Sequence, residues 1–259
     1  MTLLRIDPHA HLYDTYSLNT WCQAAVKNLG VASDVFGAVI VVDRAGQDSF
    51  KRLRSELVEI WSEAGSANNP DKVLNGYCTV GNVRLNVIRG VQYISSEKLE
   101  VLGLGVSRSA TDGETCRDLI ARINSEGGIA CLPWSPGKWL GKRGRVVNEI
   151  LESVSPAQCI VGDIALRTHL GPPSMLLNRA RRMGFSVVAG TDPLPRFEDA
   201  ALVGSYGIEI MLENPPPEGV GAASIIELIK NNSKELMCFG RPNSVLVAAV
   251  RFLSTFSRL

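Results

Sequence analysis

Residues 3–11 read Leu-Leu-Arg-Ile-Asp-Pro-His-Ala-His, and the residues that end this first apolar run separate one α/β architecture from another. An open dinucleotide-binding sheet needs G-x-G-x-x-G directly after its first strand. Here the strand empties into Asp7-Pro8-His9-Ala10-His11, and only a fragment of the glycine spacing occurs later, in GLGVSR at 103–108. Further short apolar runs, VIVVD at 39–43, IACLP at 129–133 and SVVAG at 186–190, are apolar at nearly every position. That pattern suits strands buried on both faces, as parallel strands are, better than half-exposed antiparallel ones. Candidate strands fall at 3–7, 38–43, 87–94, 99–103, 128–132, 159–162, 186–190 and 207–212, with 77–80 as the partner of 87–94 in a hairpin. Amphipathic stretches at 18–29, 48–64, 114–125, 146–153, 175–183, 222–231 and 244–257 alternate with them as candidate helices. Strand–helix alternation without a dinucleotide turn predicts an α/β fold, a TIM-like (β/α)7-8 barrel. No linker or repeat divides it, so residues 1–259 form one domain, with 222–259 as C-terminal helices packed on the barrel.

The chain has 259 residues, 45% of them hydrophobic, which is ample for a sizeable core. With 27 basic and 26 acidic residues the net charge is +1, so no strong pull toward nucleic acid or an anionic membrane is expected. Neither is therefore expected as a partner. No apolar run approaches the ~20 residues of a membrane span, and no secretory h-region comes after the N-terminus. The six cysteines are scattered without a C-x-x-C pair. They read as buried thiols of a cytoplasmic protein, not as a zinc knuckle or a disulfide frame. The apolar closing stretch SVLVAAVRFLSTFSRL, 244–259, packs on the barrel or on a second copy in a homo-oligomer.

In a barrel, chemistry gathers where strands hand over to loops at their C-terminal ends. His9 and His11, two of only three histidines, are two apart on an extended segment and can converge on one metal ion. Asp43, Asp163 and Asp192 each end a candidate strand, where a carboxylate can bind a metal or act as a base. An aspartate there is also a common turn former or helix cap. The loop 133–145 carries Trp134, Trp139, Lys138, Lys142, Arg143 and Arg145, suiting a substrate wall of rigid indoles and anion-holding cations. A rigid surface loop with its indoles packed inward would read the same way. Arg167 adds a cation, His169 reads as structural, and Arg179, Arg181 and Arg182 as a solvated helix face.

The order of these motifs resembles the polymerase-and-histidinol-phosphatase (PHP) family, within the metal-dependent hydrolase barrels related to amidohydrolases. DPHAH at 7–11 is similar to its opening D-x-H-x-H, VIVVDR at 39–44 to its T-D-H strand, and RGVQYISSEKLEVLGLG at 89–105 to its glutamate and histidine strands. GGIACLPW at 127–134 resembles the A-H-P strand and AGTDPLP at 189–195 the late D-x-H. The family's pattern breaks at Arg44, Gln92, Glu100, Pro133-Trp134 and Leu194. Those breaks leave too few ligands for the three-ion cluster that the resemblance implies, since a neutral glutamine is a poor bridge between cations.

The resemblance therefore implies a mononuclear hydrolase in which His9, His11 and Asp192, joined by Asp163 or Glu100, hold zinc or manganese. Asp192 or Asp163 would be the catalytic base, with Asp43 as a further candidate at the site. Trp134, Lys138, Arg143 and Arg167 would bind a small anionic substrate, a phosphoester being the family's usual choice. An amidohydrolase acting on an amide or lactone is an alternative. So is a metal-free barrel serving as a binding or regulatory module through its Trp/Lys/Arg loop.

Overall fold

The computed structural model describes residues 2–59, 61–64, 74–108, 110–134, 138–167, 175–213, 220–231 and 236–242. His169, residues 135–137 of the Trp/Lys/Arg loop and the expected helix 244–257 lie outside them. The chain opens with β1 (Thr2–Ala10), α1 (Leu18–Leu29), β2 (Val35–Asp43), α2 (Ser49–Glu56), β3 (Trp61–Ala64), β4 (Asn75–Val80) and β5 (Val83–Ile94). It continues with β6 (Glu100–Leu104), α3 (Cys116–Ser125), β7 (Ile129–Pro133), α4 (Gly141–Ser153), β8 (Cys159–Ile164), α5 (Met175–Arg182) and β9 (Val187–Gly190). After a 3-10 turn at Phe197–Leu202 come β10 (Tyr206–Leu212), α6 (Ala222–Asn231) and β11 (Met237–Gly240).

One sheet joins the strands in the order β11-β10-β1-β2-β5-β6-β7-β8-β9. Its far end curls back until Asp192 N–H donates to His9 C=O at 2.7 Å, so the barrel is nearly closed. Gly190 marks the point of contact: a Cβ there would lie 2.6 Å from His9 Cβ.

The barrel expected from the apolar runs is present, but its topology is not that of a (β/α)8 barrel. β1–β2, β2–β5, β7–β8 and β8–β9 are parallel, whereas β1–β10, β10–β11, β5–β6 and β6–β7 are antiparallel. β6 and β10 therefore run against the strands around them. Only residues 95–99 separate β5 from β6, too few for the crossover that a parallel pair requires. β6 is buried at every position after its half-buried first residue, and is as apolar as its parallel neighbours. Burial on both faces removes the alternation that would have betrayed its direction. The expected hairpin is present, β4 pairing antiparallel with β5 across Gly81, whose φ of 59° suits the tight turn. The candidate helix 48–64 divides instead into α2 and β3, which pairs with β4. β11 had no counterpart among the expected strands.

Alternation along the strands sorts the core into two sides. Leu4, Ile6, Ala38, Ile40, Val42, Ile88, Leu102, Leu104, Ile129, Cys131, Ile160, Val188, Ile208 and Ile210 form one cluster with Ile225, Ile226 and Ile229 of α6. This is the lumen, and α6 plugs it at one end. Ile226 packs so close to Gly105 that a Cβ there would lie 2.5 Å away, and Lys230 Nζ donates to Gly127 C=O at 2.8 Å. The other parity, Val39, Val41, Leu85 and Val87, packs under α1 and α2. Val91, Val101, Ala130, Leu132, Cys159 and Val161 do the same under α3, α4 and α5. No helix among the described residues is long and apolar enough to cross a membrane.

Candidate metal centre

The site lies at the end of the lumen opposite α6, and a bulge in β1 builds it. Asp7 pairs with Val39 of β2 but Ala10 with Val41, so three residues of β1 oppose two of its partner. Pro8, which has no N–H to give a ladder, sits in this irregularity, one of the few strand positions that tolerate it. The extra residue inverts the parity of everything after it. Leu4 and Ile6 face the lumen, yet Ala10, of the same parity, packs outside with α1. His9 and His11 are thereby turned inward.

There they meet Asp192. Each histidine Nε2 lies 3.5 Å from Asp192 Oδ1, the ring centroids are 5.1 Å apart, and one ligand atom from each residue falls within 4.8 Å of the others. His11 Nδ1–H donates to Val42 C=O at 2.8 Å, which fixes the tautomer and leaves Nε2 with its lone pair. His9 is buried with neither ring nitrogen hydrogen-bonded, and burial lowers its pKa, favouring the neutral ring. Burial alone would raise the Asp192 pKa, but the two imidazoles and Lys138 hold it down at about 2, so it is ionised. Asp192 also sits at φ 43°, a left-handed conformation uncommon for a residue with a side chain. Two imidazoles and one carboxylate, with an orphaned buried ring among them, are a donor set that fits a divalent transition metal.

Asp7, absent from the sequence-based candidates for chemistry, holds this arrangement in place. Fully buried, it accepts from Thr191 N–H at 3.0 Å, Gly204 N–H at 2.9 Å, His9 N–H at 3.2 Å and the Thr191 hydroxyl. One carboxylate thus ties His9 to Thr191, the chain neighbour of Asp192. Tyr13 stacks 5.4 Å from His11, and the Arg44 guanidinium lies 4.7 Å over the Tyr13 ring.

The expected residues separate by strand parity. Gln92 and Glu100 share the inward parity of Ile88 and Leu102. Gln92 Nε2 donates to Glu100 Oε1 at 3.0 Å, and Lys138 Nζ donates to the same oxygen. Glu100 and Lys138 lie close enough for their charges to act on His9. Asp163 shares its parity with Cys159 and Val161 of the outer cluster. Arg167 grips both its oxygens, at 2.6 and 2.7 Å, and the Tyr206 hydroxyl adds a bond at 3.0 Å. Asp163 does not join the ligand group, and the charge of Arg167 is neutralised within this pair. Asp43 likewise has the outward parity of Val39 and Val41, and accepts Ser49 N–H at 3.2 Å ahead of α2. Trp134 packs against the outer cluster, its backbone N–H donating to Gly162 C=O at 2.8 Å. Arg143 stands in the first turn of α4. The signal that separates these residues is parity relative to the lumen. Asp7 was visible as part of the same motif as the histidines.

No protein-family model matches the chain, and no curated protein matches it by sequence. Solved structures do share its fold. PsfC from Pseudomonas syringae PB-5123 superposes with a TM-score of 0.63 at 16% identity, all of each chain being covered. Endonuclease Q in complex with a 27-mer duplex bearing an abasic lesion at the active site gives 0.53 at 10% identity, over 89% of this chain and 57% of that one. The lesion-specific endonuclease PfuEndoQ from Pyrococcus furiosus gives 0.53 at 12%, over 89% and 56%. The chain therefore spans little more than half the length of the endonucleases. These likenesses show that the barrel fold is shared with known proteins.

They also correct one expectation. Two of the solved structures with this fold are of Endonuclease Q, one of them holding duplex DNA with a lesion at the active site, so the exclusion of nucleic acid does not stand. It rested on net charge, which sums the whole surface and says nothing about the potential of a single cleft.

Proposed function

We propose that the chain is a metal-dependent hydrolase acting through a single divalent ion, zinc or manganese, held by His9, His11 and Asp192. The observation that carries this reading is His9, whose two ring nitrogens are buried without a hydrogen-bond partner beside two further ligand atoms. An orphaned buried polar group costs about 1–3 kcal/mol, a penalty that a bound ion would remove. When bound, such an ion supplies Lewis acidity and makes water nucleophilic near neutral pH.

The protein's own residues do the remainder. Val42 C=O keeps the His11 proton on Nδ1, so that Nε2 faces the centre as a donor. Asp7 anchors His9 N–H and Thr191, which keeps the histidines and Asp192 in register. With an ion bound, Asp192 would help to hold it and would accept a hydrogen bond from the nucleophilic water. With Asp163 gripped by Arg167, that task falls to Asp192 alone. Lys138 is the cation whose charge reaches Asp192. Trp134 is taken up by the outer cluster, and Arg44 on Tyr13 adds a cation beside His11. This setting suits an anionic substrate. A phosphoester is the class we favour, with nucleic-acid phosphodiesters included on the strength of the shared fold.

The test is metal content by elemental analysis after purification without chelator or metal-affinity resin, with the His9→Ala/His11→Ala double variant alongside. Near-stoichiometric zinc or manganese in the wild type, lost in the variant, is expected. A screen of phosphomonoesters, phosphodiesters, abasic-site DNA and amides then separates the substrate classes. A wild type that binds no metal even in excess ions would sink the reading and turn attention to a metal-free binding module.

A further inference from the structure

The Glu100–Lys138 ion pair beside the proposed centre has a geometry that its neighbours do not explain. Glu100, at the start of β6, and Gln92, near the end of β5, both carry the inward parity of the lumen. The Glu100 side chain is 16% exposed and that of Lys138 39%. One carboxylate oxygen, Glu100 Oε1, receives both the Lys138 ammonium and Gln92 Nε2. Gln92 is itself fastened, its C=O accepting from Arg108 at 2.6 Å. An ammonium is thus delivered from the loop before α4 onto a carboxylate held in place by the sheet. The charges of Glu100 and Lys138 both act on His9, and that of Lys138 acts on Asp192.

We infer that the Lys138 ammonium occupies the position of a second cation in this centre and restricts it to one divalent ion. The inference rests on the proposed metal reading and deepens it. Without Lys138 the lumen mouth would hold two carboxylates, Asp192 and Glu100, and the Gln92 amide oxygen. These are hard oxygen donors suited to a second divalent ion. With Lys138 in place, Glu100 is neutralised from within the chain. A second divalent ion would then meet both the ammonium and the first ion at short range, where like charges repel. The lysine keeps a positive charge there when the supply of metal falls, and it supplies that charge from a side chain that cannot diffuse away.

The experiment is the manganese stoichiometry of the full chain, by elemental analysis after gel filtration and by electron paramagnetic resonance during titration with Mn²⁺ alone. Wild type is expected to bind a single ion. Lys138→Met, which keeps the aliphatic stem and removes the charge, should bind a second, and Lys138→Met/Glu100→Gln should return to one. Lys138→Gln serves in place of Lys138→Met should that variant not fold by circular dichroism. A folded Lys138 variant that still binds one ion overturns the inference and leaves the metal reading standing. A wild type that binds two ions overturns the inference and the single-ion form of the metal reading with it. A wild type that binds none overturns the metal reading, and this inference with it.

Discussion

Asp43 shows how a strand-end carboxylate can look catalytic and serve the fold. Its oxygens receive the Ser49 N–H at 3.2 Å and the Ser49 hydroxyl, and Arg89 lies 3.9 Å away, so it secures the turn into α2. Burial raises its pKa above the usual 3.8, although Ser49 and Arg89 pull the other way. A group raised in the folded state contributes stability that is fully present below its unfolded value and lost as pH rises through the folded one. Asp43→Asn should therefore remove this fall, so that stability no longer declines as the carboxyl ionises with rising pH. Urea midpoints between about pH 4 and pH 7 would show it. An unchanged slope would mean that Ser49 and Arg89 compensate the ionised carboxylate in full. At this scale the spacing of His9 and His11 was legible, because two residues apart on an extended segment share a face unless a bulge falls between them, and here the bulge precedes both. That Asp43 and Asp163 point away from His9 was not, since facing depends on which side of the sheet becomes the lumen.

At the scale of elements, the bulge in β1 and the approach of β9 make the centre. Gly190 ends β9 with His9 Cβ 2.6 Å and His9 N 3.2 Å from where its own Cβ would be. Gly190→Ala forces that contact against backbone, which cannot swing aside as a flexible side chain would. We expect a loss of about 1–3 kcal/mol in urea unfolding, with weaker metal binding in the same variant. Unchanged stability and metal affinity would show that the barrel seam gives way freely. The sequence marks this seam only as a glycine ending an apolar run. The bulge is marked only by a proline inside a strand, and neither mark states which way the side chains beyond it turn. Strand positions were readable from apolar runs, but strand direction was not. β6 and β10 are apolar along most of their length, as their parallel neighbours are.

At the scale of the whole molecule, the barrel separates its stability from its chemistry along one axis. α6 fills the lumen end opposite His9 with Ile225, Ile226 and Ile229, all buried. Ile229→Ala should cost about 2–5 kcal/mol by removing a fully buried side chain. Metal stoichiometry should not change, because none of the three proposed ligands lies on α6. A calorimetric Tm and a metal titration on the same preparation check both halves, and a change in stoichiometry would show that the two ends are coupled. The order of amino acids was enough to dictate one apolar core, short buried strands alternating with helices, and a shared face for His9 and His11. Those properties arise from local spacing and from burial, which each residue type carries with it. Contacts in three dimensions were needed to bring Asp192 to the histidine pair, to turn Asp163 and Asp43 outward, and to join Glu100 to Lys138. Each of those depends on sheet closure, strand direction and one added residue in β1, and these are set by contacts between segments far apart in the chain.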